Sequence, residues 1–160
     1  MAVNPEVLEA LTAGIQSEVA AYVFYFEAAK KVQHENLRET IEKLALEEKK
    51  HFHILEGQYD SLVRSEKWNT IADILKREGL PEISEEMQHK HKDLIAEVRA
   101  LDSEMAVLKM ALKLEEDARD LFTRLADQAQ SEEGRKTFSH LAGFEQGHVK
   151  LVQSLIDGLN

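Results

Sequence analysis

The chain has no cysteine. That excludes disulfides, thiolate zinc sites, thiol nucleophiles and cysteine-ligated iron–sulfur or rubredoxin-type centres on these 160 residues, so any metal must be held by nitrogen and oxygen. Proline is nearly absent, with only Pro5 and Pro81, and β-branched alternation is scarce, which makes helix the dominant expectation. Positive charge is in the minority. A net charge of −10, with Lys and Arg interspersed among acids, would repel a phosphate backbone and predicts no nucleic-acid partner. No uncharged run approaches a membrane span, and Met1 to Pro5 carry no basic stretch leading into an apolar one. The expectation is a cytoplasmic protein without a membrane partner.

What is present is 43% hydrophobic and 31% charged, the mix of one compact domain with a real core. The apolar spacing predicts four long helices. The first starts with Asn4 as N-cap and Pro5 at N1 and ends near Val32; the second runs from about Asn36 to Leu62, so that residues 4–62 form a hairpin. Residues 63–101 read as a crossover with a short helix at Thr70 to Arg77, a break at Gly79-Leu80-Pro81 and a further helical stretch after Ser84. A second hairpin, 102–159, contains helices from about Asp102 to Ala129 and from Ser131 to Leu159. A long crossover is what a bundle needs when its third helix runs parallel to its second.

The two hairpins are copies. Shifting the chain by 97 residues without a gap aligns 4–56 with 101–153 and gives twelve identities, against the roughly three or four that random pairing yields. Apolar pairs such as Leu11/Leu108 and Leu44/Leu141 are among them, as are Glu18/Glu115, Glu48/Glu145 and His51/His148. Glu18 and Glu115 each lie on the apolar stripe of their helix, while Glu48 with His51, and Glu145 with His148, are three apart and share the face that carries Leu44 and Leu55 or Leu141 and Val152.

Four carboxylates and two imidazoles converging on an apolar core are prohibitive as bare charges. Two divalent cations balance four negative charges, and one Glu from each of two helices plus Glu-x-x-His from each of the others is the ligand set of carboxylate-bridged di-metal bundles. By role, Glu18 and Glu115 are expected as terminal ligands, Glu48 and Glu145 as bridges, and His51 and His148 as one nitrogen ligand per ion. This donor set suits Fe, Mn or Zn rather than Ca or Mg. The adjacent acids Glu47 and Glu116 break the repeat register and point about one hundred degrees away on an ideal helix, so they read as surface or supporting groups. His34, His53 and His140 have Ser131, Lys150 and Lys43 as repeat partners and read as surface or interhelical residues. The run from Gln88 to Lys92 reads as solvated crossover, and Trp68 and Phe24 as core.

At the segments IQSEVAAYVFY, LALEEKKHFHIL, LKLEEDARDLF and LAGFEQGHVKLV the sequence resembles the rubrerythrin branch of the ferritin-like superfamily. The resemblance covers both hairpins. It implies an all-α ferritin-like four-helix bundle with a non-haem di-iron site that reacts with hydrogen peroxide or dioxygen, and a homodimer in which hairpins could be exchanged across the crossover. It also implies that Tyr25, two turns beyond Glu18 on the same face, hydrogen-bonds a ligand carboxylate near the metals, where the residue pattern by itself is equally consistent with simple packing. Where rubrerythrins usually carry an extra glutamate, one turn after the third-helix ligand, this chain has Ala118 followed by Arg119. With no rubredoxin-like domain in the sequence, a peroxidase cycle is expected to draw electrons from a separate redox protein. The functional expectation is therefore a di-iron peroxidase, with a ferroxidase or iron-storage protein as the alternative, and a module that uses metal only to hold its bundle as a third class.

Overall fold

A computed structural model describes residues 4–76 and 83–159. Among them all regular structure is helix: α1 (Pro5–Lys31), α2 (Glu35–Ser65), α3 (Ile71–Lys76), α4 (Glu85–His89), α5 (Lys92–Arg99), α6 (Glu104–Gln128) and α7 (Glu132–Leu159). The long elements α1, α2, α6 and α7 form the four-helix bundle, in which α1 pairs with α2, α6 with α7, and α1 also meets α6. Local signals set their ends. Asn4 Oδ1 accepts from the Glu6 amide at 3.0 Å with Pro5 in the first turn, and Ser103 Oγ accepts from the Ala106 amide at 3.0 Å. α2 runs three residues past Leu62 and stops where Glu66 turns left-handed (φ 57°) and returns its amide to the Leu62 carbonyl. The stretch after Ser84 is two helices rather than one, α4 and α5, separated at Lys90–His91. The Gly79-Leu80-Pro81 break and Arg77 lie outside the described residues.

The apolar side chains form two main clusters. One gathers Phe24, Ala28, Val32, Leu37, Ile41, Leu108, Val152 and Ile156; the other gathers Leu11, Leu55, Leu62, Phe122, Leu125, Phe138 and Leu141. Phe24 is fully buried in the core as expected, whereas Trp68 is half-buried and packs edge-on against Phe138 at the border of the second cluster. In sequence, Glu18, Glu48 with His51, Glu115, and Glu145 with His148 fall between these clusters on the four long helices, so the bundle carries a polar layer between two apolar ones.

Three contacts fix the crossover and the hairpins around that layer. Gln58, buried on α2, donates from Nε2 to the Asn69 carbonyl at 2.7 Å and accepts the Asn69 amide at 2.9 Å, which satisfies backbone groups that the loop cannot pair by itself. Arg99 at the end of α5 meets Glu27 of α1 at 3.3 Å, while Lys31 donates to the Arg99 carbonyl at 2.8 Å. Glu104, at the start of α6, accepts the amides of Gln33 and His34 at 3.0 and 3.2 Å and pairs with His34 Nδ1 at 2.6 Å, which ties the second hairpin to the turn of the first.

At Gly57 an added Cβ would lie 2.4 Å from Ile74 Cγ2, whereas at Gly143 it would meet nothing within 4 Å. Overpacking costs about 1–3 kcal/mol and replacing a helical Gly by Ala contributes about 1 kcal/mol, so Gly57→Ala is expected to destabilise by about 1 kcal/mol and Gly143→Ala to stabilise by a similar amount. Urea denaturation of the two variants checks the opposite signs.

At Glu104 burial pushes the carboxyl upward, but bonds to His34 and Gln33 hold it below the ordinary glutamate value of 4.5. Because the folded value lies below the unfolded one, the stabilisation is fully present above that value and is lost as pH falls through the folded one. Glu104→Gln is therefore expected to cost about 1 kcal/mol at neutral pH. The gap between variant and parent in urea midpoints should shrink as the pH is taken down below the carboxylate range.

Candidate metal centre

The repeat places its polar residues at equivalent heights on paired helices, and the fold brings all six together. Glu18 projects from α1, Glu48 and His51 from α2, Glu115 from α6, and Glu145 and His148 from α7; none is more than 4% exposed. Their donor atoms form two groups, Glu18, Glu48, His51 and Glu145 in one, Glu48, Glu115, Glu145 and His148 in the other, each with its atoms within 4.8 Å of one another.

Individual distances show how the groups share residues. His51 Nδ1 lies 3.5 Å from Glu18 Oε2, 3.5 Å from Glu48 Oε2 and 3.2 Å from Glu145 Oε1. His148 Nδ1 lies 3.0 Å from Glu48 Oε1, 3.3 Å from Glu115 Oε1 and 3.4 Å from Glu145 Oε2. Glu48 and Glu145 thus turn one oxygen toward each histidine, whereas Glu18 faces only His51 and Glu115 only His148. The imidazoles are near-parallel, with centroids 5.8 Å apart and planes at 20°.

Protein groups alone satisfy this cluster poorly. Both oxygens of Glu18 and one oxygen each of Glu48, Glu115 and Glu145 are buried without a hydrogen-bond partner. Burial, together with the charges of Glu145 and Glu48, pushes the Glu18 carboxyl well above the ordinary range. Burial also pushes Glu115 up to about 7. Burial opposes the charged form of both imidazoles, but hydrogen bonds to Glu145 and Glu48 raise His51 to about 9, and those to Glu115, Glu145 and Glu48 raise His148 strongly. Five orphaned buried oxygens aimed at two shared foci, with one imidazole nitrogen at each, are a donor set that a pair of divalent cations fits and that no cysteine-dependent centre could use.

The surrounding residues sort clearly. Tyr25 is buried and its hydroxyl donates to Glu115 Oε1 at 2.5 Å, which resolves the choice between packing and hydrogen bonding in favour of both. Ala118, one turn beyond Glu115, offers no carboxylate, and Arg119 turns away to Gln146 Oε1 and Asp120 Oδ1, each at 3.0 Å. His34 pairs with Glu104, and the His140 ring lies against Phe144 with centroids 4.8 Å apart; neither these two nor His53 joins either group. The Gln88–Lys92 run lies across α4 and α5 and likewise joins neither. Glu116 stays outside the cluster. Glu47 does not ligate within either group but touches the outer nitrogen of His148, Oε2 to Nε2 at 2.5 Å. That contact was not legible from helical geometry alone; the signal available was that position 47 aligns with Phe144, a change of polarity directly beside the repeated Glu-x-x-His motif.

A model of the rubrerythrin family matches residues 9–99 and 106–160, which extends the likeness beyond the hairpins into the crossover. No curated protein sequence matches. Among solved structures, a hypothetical protein from Pyrococcus furiosus superposes with a TM-score of 0.65 at 26% identity, over 94% of this chain and 88% of that one. No helix among the described residues is long and apolar enough to cross a membrane.

Proposed function

Since the chain belongs to the rubrerythrin family, we propose that it is a non-haem di-iron protein that reduces hydrogen peroxide with electrons from a separate donor. The observation that carries this reading is the pair of buried groups joined by Glu48 and Glu145, each with its own imidazole and its own terminal carboxylate. Bound there, two ferrous ions supply one electron each, the two that reduction of a peroxide to two water molecules consumes along with two protons. Nitrogen and oxygen donors suit iron, with manganese or zinc as competitors.

The chain's own residues then have distinct tasks. Glu18 and Glu115 would hold one ion apiece, His51 and His148 would each give a nitrogen, and Glu48 and Glu145 would keep the ions adjacent. Tyr25 holds Glu115 in place; burial and the Glu115 charge raise its hydroxyl well above the ordinary tyrosine value, so it remains a proton donor to that carboxylate at neutral pH. Exposure of at most 4% across the six groups restricts the substrate to small molecules such as hydrogen peroxide or dioxygen. The reading has the protein in the cytoplasm as a homodimer, either with closed protomers or with hairpins exchanged across the crossover, and with a partner redox protein restoring the ferrous state.

The test is anaerobic Fe(II) loading with metal counting, followed by absorbance of ferric iron after mixing with hydrogen peroxide or dioxygen. Two irons per chain, two Fe(II) consumed per peroxide and a faster reaction with peroxide than with dioxygen are expected. No oxidation with either would sink the enzymatic reading, and uptake of many irons per chain in a large assembly would favour the ferroxidase and storage reading instead.

A further inference from the structure

The two groups have the same ligand types, so any difference between the metal positions must come from what stands behind each ligand. The repeat makes that comparison direct. Residue 47 on α2 and residue 144 on α7 are equivalent under the 97-residue offset, each immediately preceding its Glu-x-x-His motif. In one copy the residue is Glu47, whose Oε2 lies 2.5 Å from Nε2 of His148. In the other it is Phe144, whose ring meets His51 edge-on with centroids 5.0 Å apart and planes at 71°. One imidazole is backed by a carboxylate and the other by a hydrocarbon edge.

Chemistry makes this consequential. Both histidines turn Nδ1 toward the carboxylates, so an ion takes the Nδ1 lone pair and the proton sits on Nε2. For His148 that N–H has a charged acceptor, which fixes the tautomer, locks the ring and raises the electron density at Nδ1; for His51 the Phe144 edge supplies packing without an acceptor charge. Glu47 cannot bind the same ion, because the two ring nitrogens point away from each other and it stands on the far side. It is about half exposed, whereas the imidazole that it meets is almost fully buried. The contact therefore orients a buried ligand from the surface.

We infer that Glu47 is a positioning residue for His148 and that it makes the two metal positions unequal, the one beside His148 binding more tightly and filling first. The inference rests on the di-metal reading above and deepens it. It gives this chain a source of asymmetry in the outer contacts of its histidines, while the repeat keeps the inner donors alike.

Titration of the full metal-free chain with Co(II), followed by calorimetry and visible absorbance, tests it. A symmetric pair would also fill stepwise, since the first ion repels the second, so the variants decide. Glu47→Gln is expected to weaken the tighter step by about 10–100-fold and to leave the weaker one within about threefold. Phe144→Glu is expected to strengthen the weaker step and bring the two together. At one equivalent of Co(II), the exchangeable, paramagnetically shifted imidazole N–H signal should persist in His51→Ala and vanish in His148→Ala. Melting of the metal-free variants checks that each remains folded. If Glu47→Gln leaves both steps unchanged, or weakens the looser one, the inference fails while the di-metal reading stands. A parent chain that binds no Co(II) would overturn both.

Discussion

Loading the purified chain with two equivalents of divalent metal is expected to raise its melting temperature by on the order of 20 °C, and chelation to reverse it. The size follows from linkage: an ion that binds only the folded state at about a thousand times its Kd adds about 4 kcal/mol, two such ions about 8 kcal/mol, and a chain of this length moves by about 2–4 °C per kcal/mol. The structural reason is the set of buried carboxylate oxygens that no protein donor reaches. Differential scanning calorimetry with and without chelator is sufficient. Equal melting temperatures in the two conditions would mean that the buried cluster holds no metal.

Glu48→Gln should act with opposite signs in the two states. Without metal, four buried carboxylates outnumber two imidazoles, so exchanging one of them for a neutral amide of the same size relieves like-charge repulsion and is expected to stabilise the fold. With metal, it removes the residue whose two oxygens face His51 and His148, so both ions are weakened, by more than the roughly 10–100-fold that loss of an outer contact costs. Glu145→Gln should behave alike, since it too faces both histidines. Glu18→Gln and Glu115→Gln should each weaken one ion and spare the other. Calorimetric titration together with melting of the metal-free variants reads both effects. A metal-free variant less stable than the parent would mean that the pairing of Glu48 with the two imidazoles outweighs the repulsion among the carboxylates.

Much of this was legible in the chain itself because burial and periodicity are local properties. The helix start at Asn4 is written in its capping residue, whereas the third helix, expected from about Asp102, starts at Glu104 behind the cap Ser103; the inward direction of Glu18, Glu48 and their copies follows from the apolar neighbours three and four positions away. Contacts between distant elements were not legible in that way. Nothing local to Glu104 announces that it will cap the turn at Gln33 and His34, and nothing local to Gly57 announces Ile74. The division of the stretch after Ser84 into α4 and α5 occurs without proline or glycine at the junction, so no breaker marks it. Glu47 is intermediate: its angle on α2 correctly excludes it from the inner cluster, but its partner belongs to α7 and depends on how the two helices are rotated.

The way the two ion groups divide their residues bears on how such a protein could have arisen. Each takes three residues from one hairpin and a single carboxylate from the other: Glu145 completes the group of Glu18, Glu48 and His51, and Glu48 completes that of Glu115, Glu145 and His148. An unfused hairpin of this kind, pairing with a second copy of itself, would already contain every donor needed for two ions. Joining the halves would then add no new coordination chemistry; it would raise the effective concentration of each half for the other, and would free the sequences to diverge at positions such as 47 and 144.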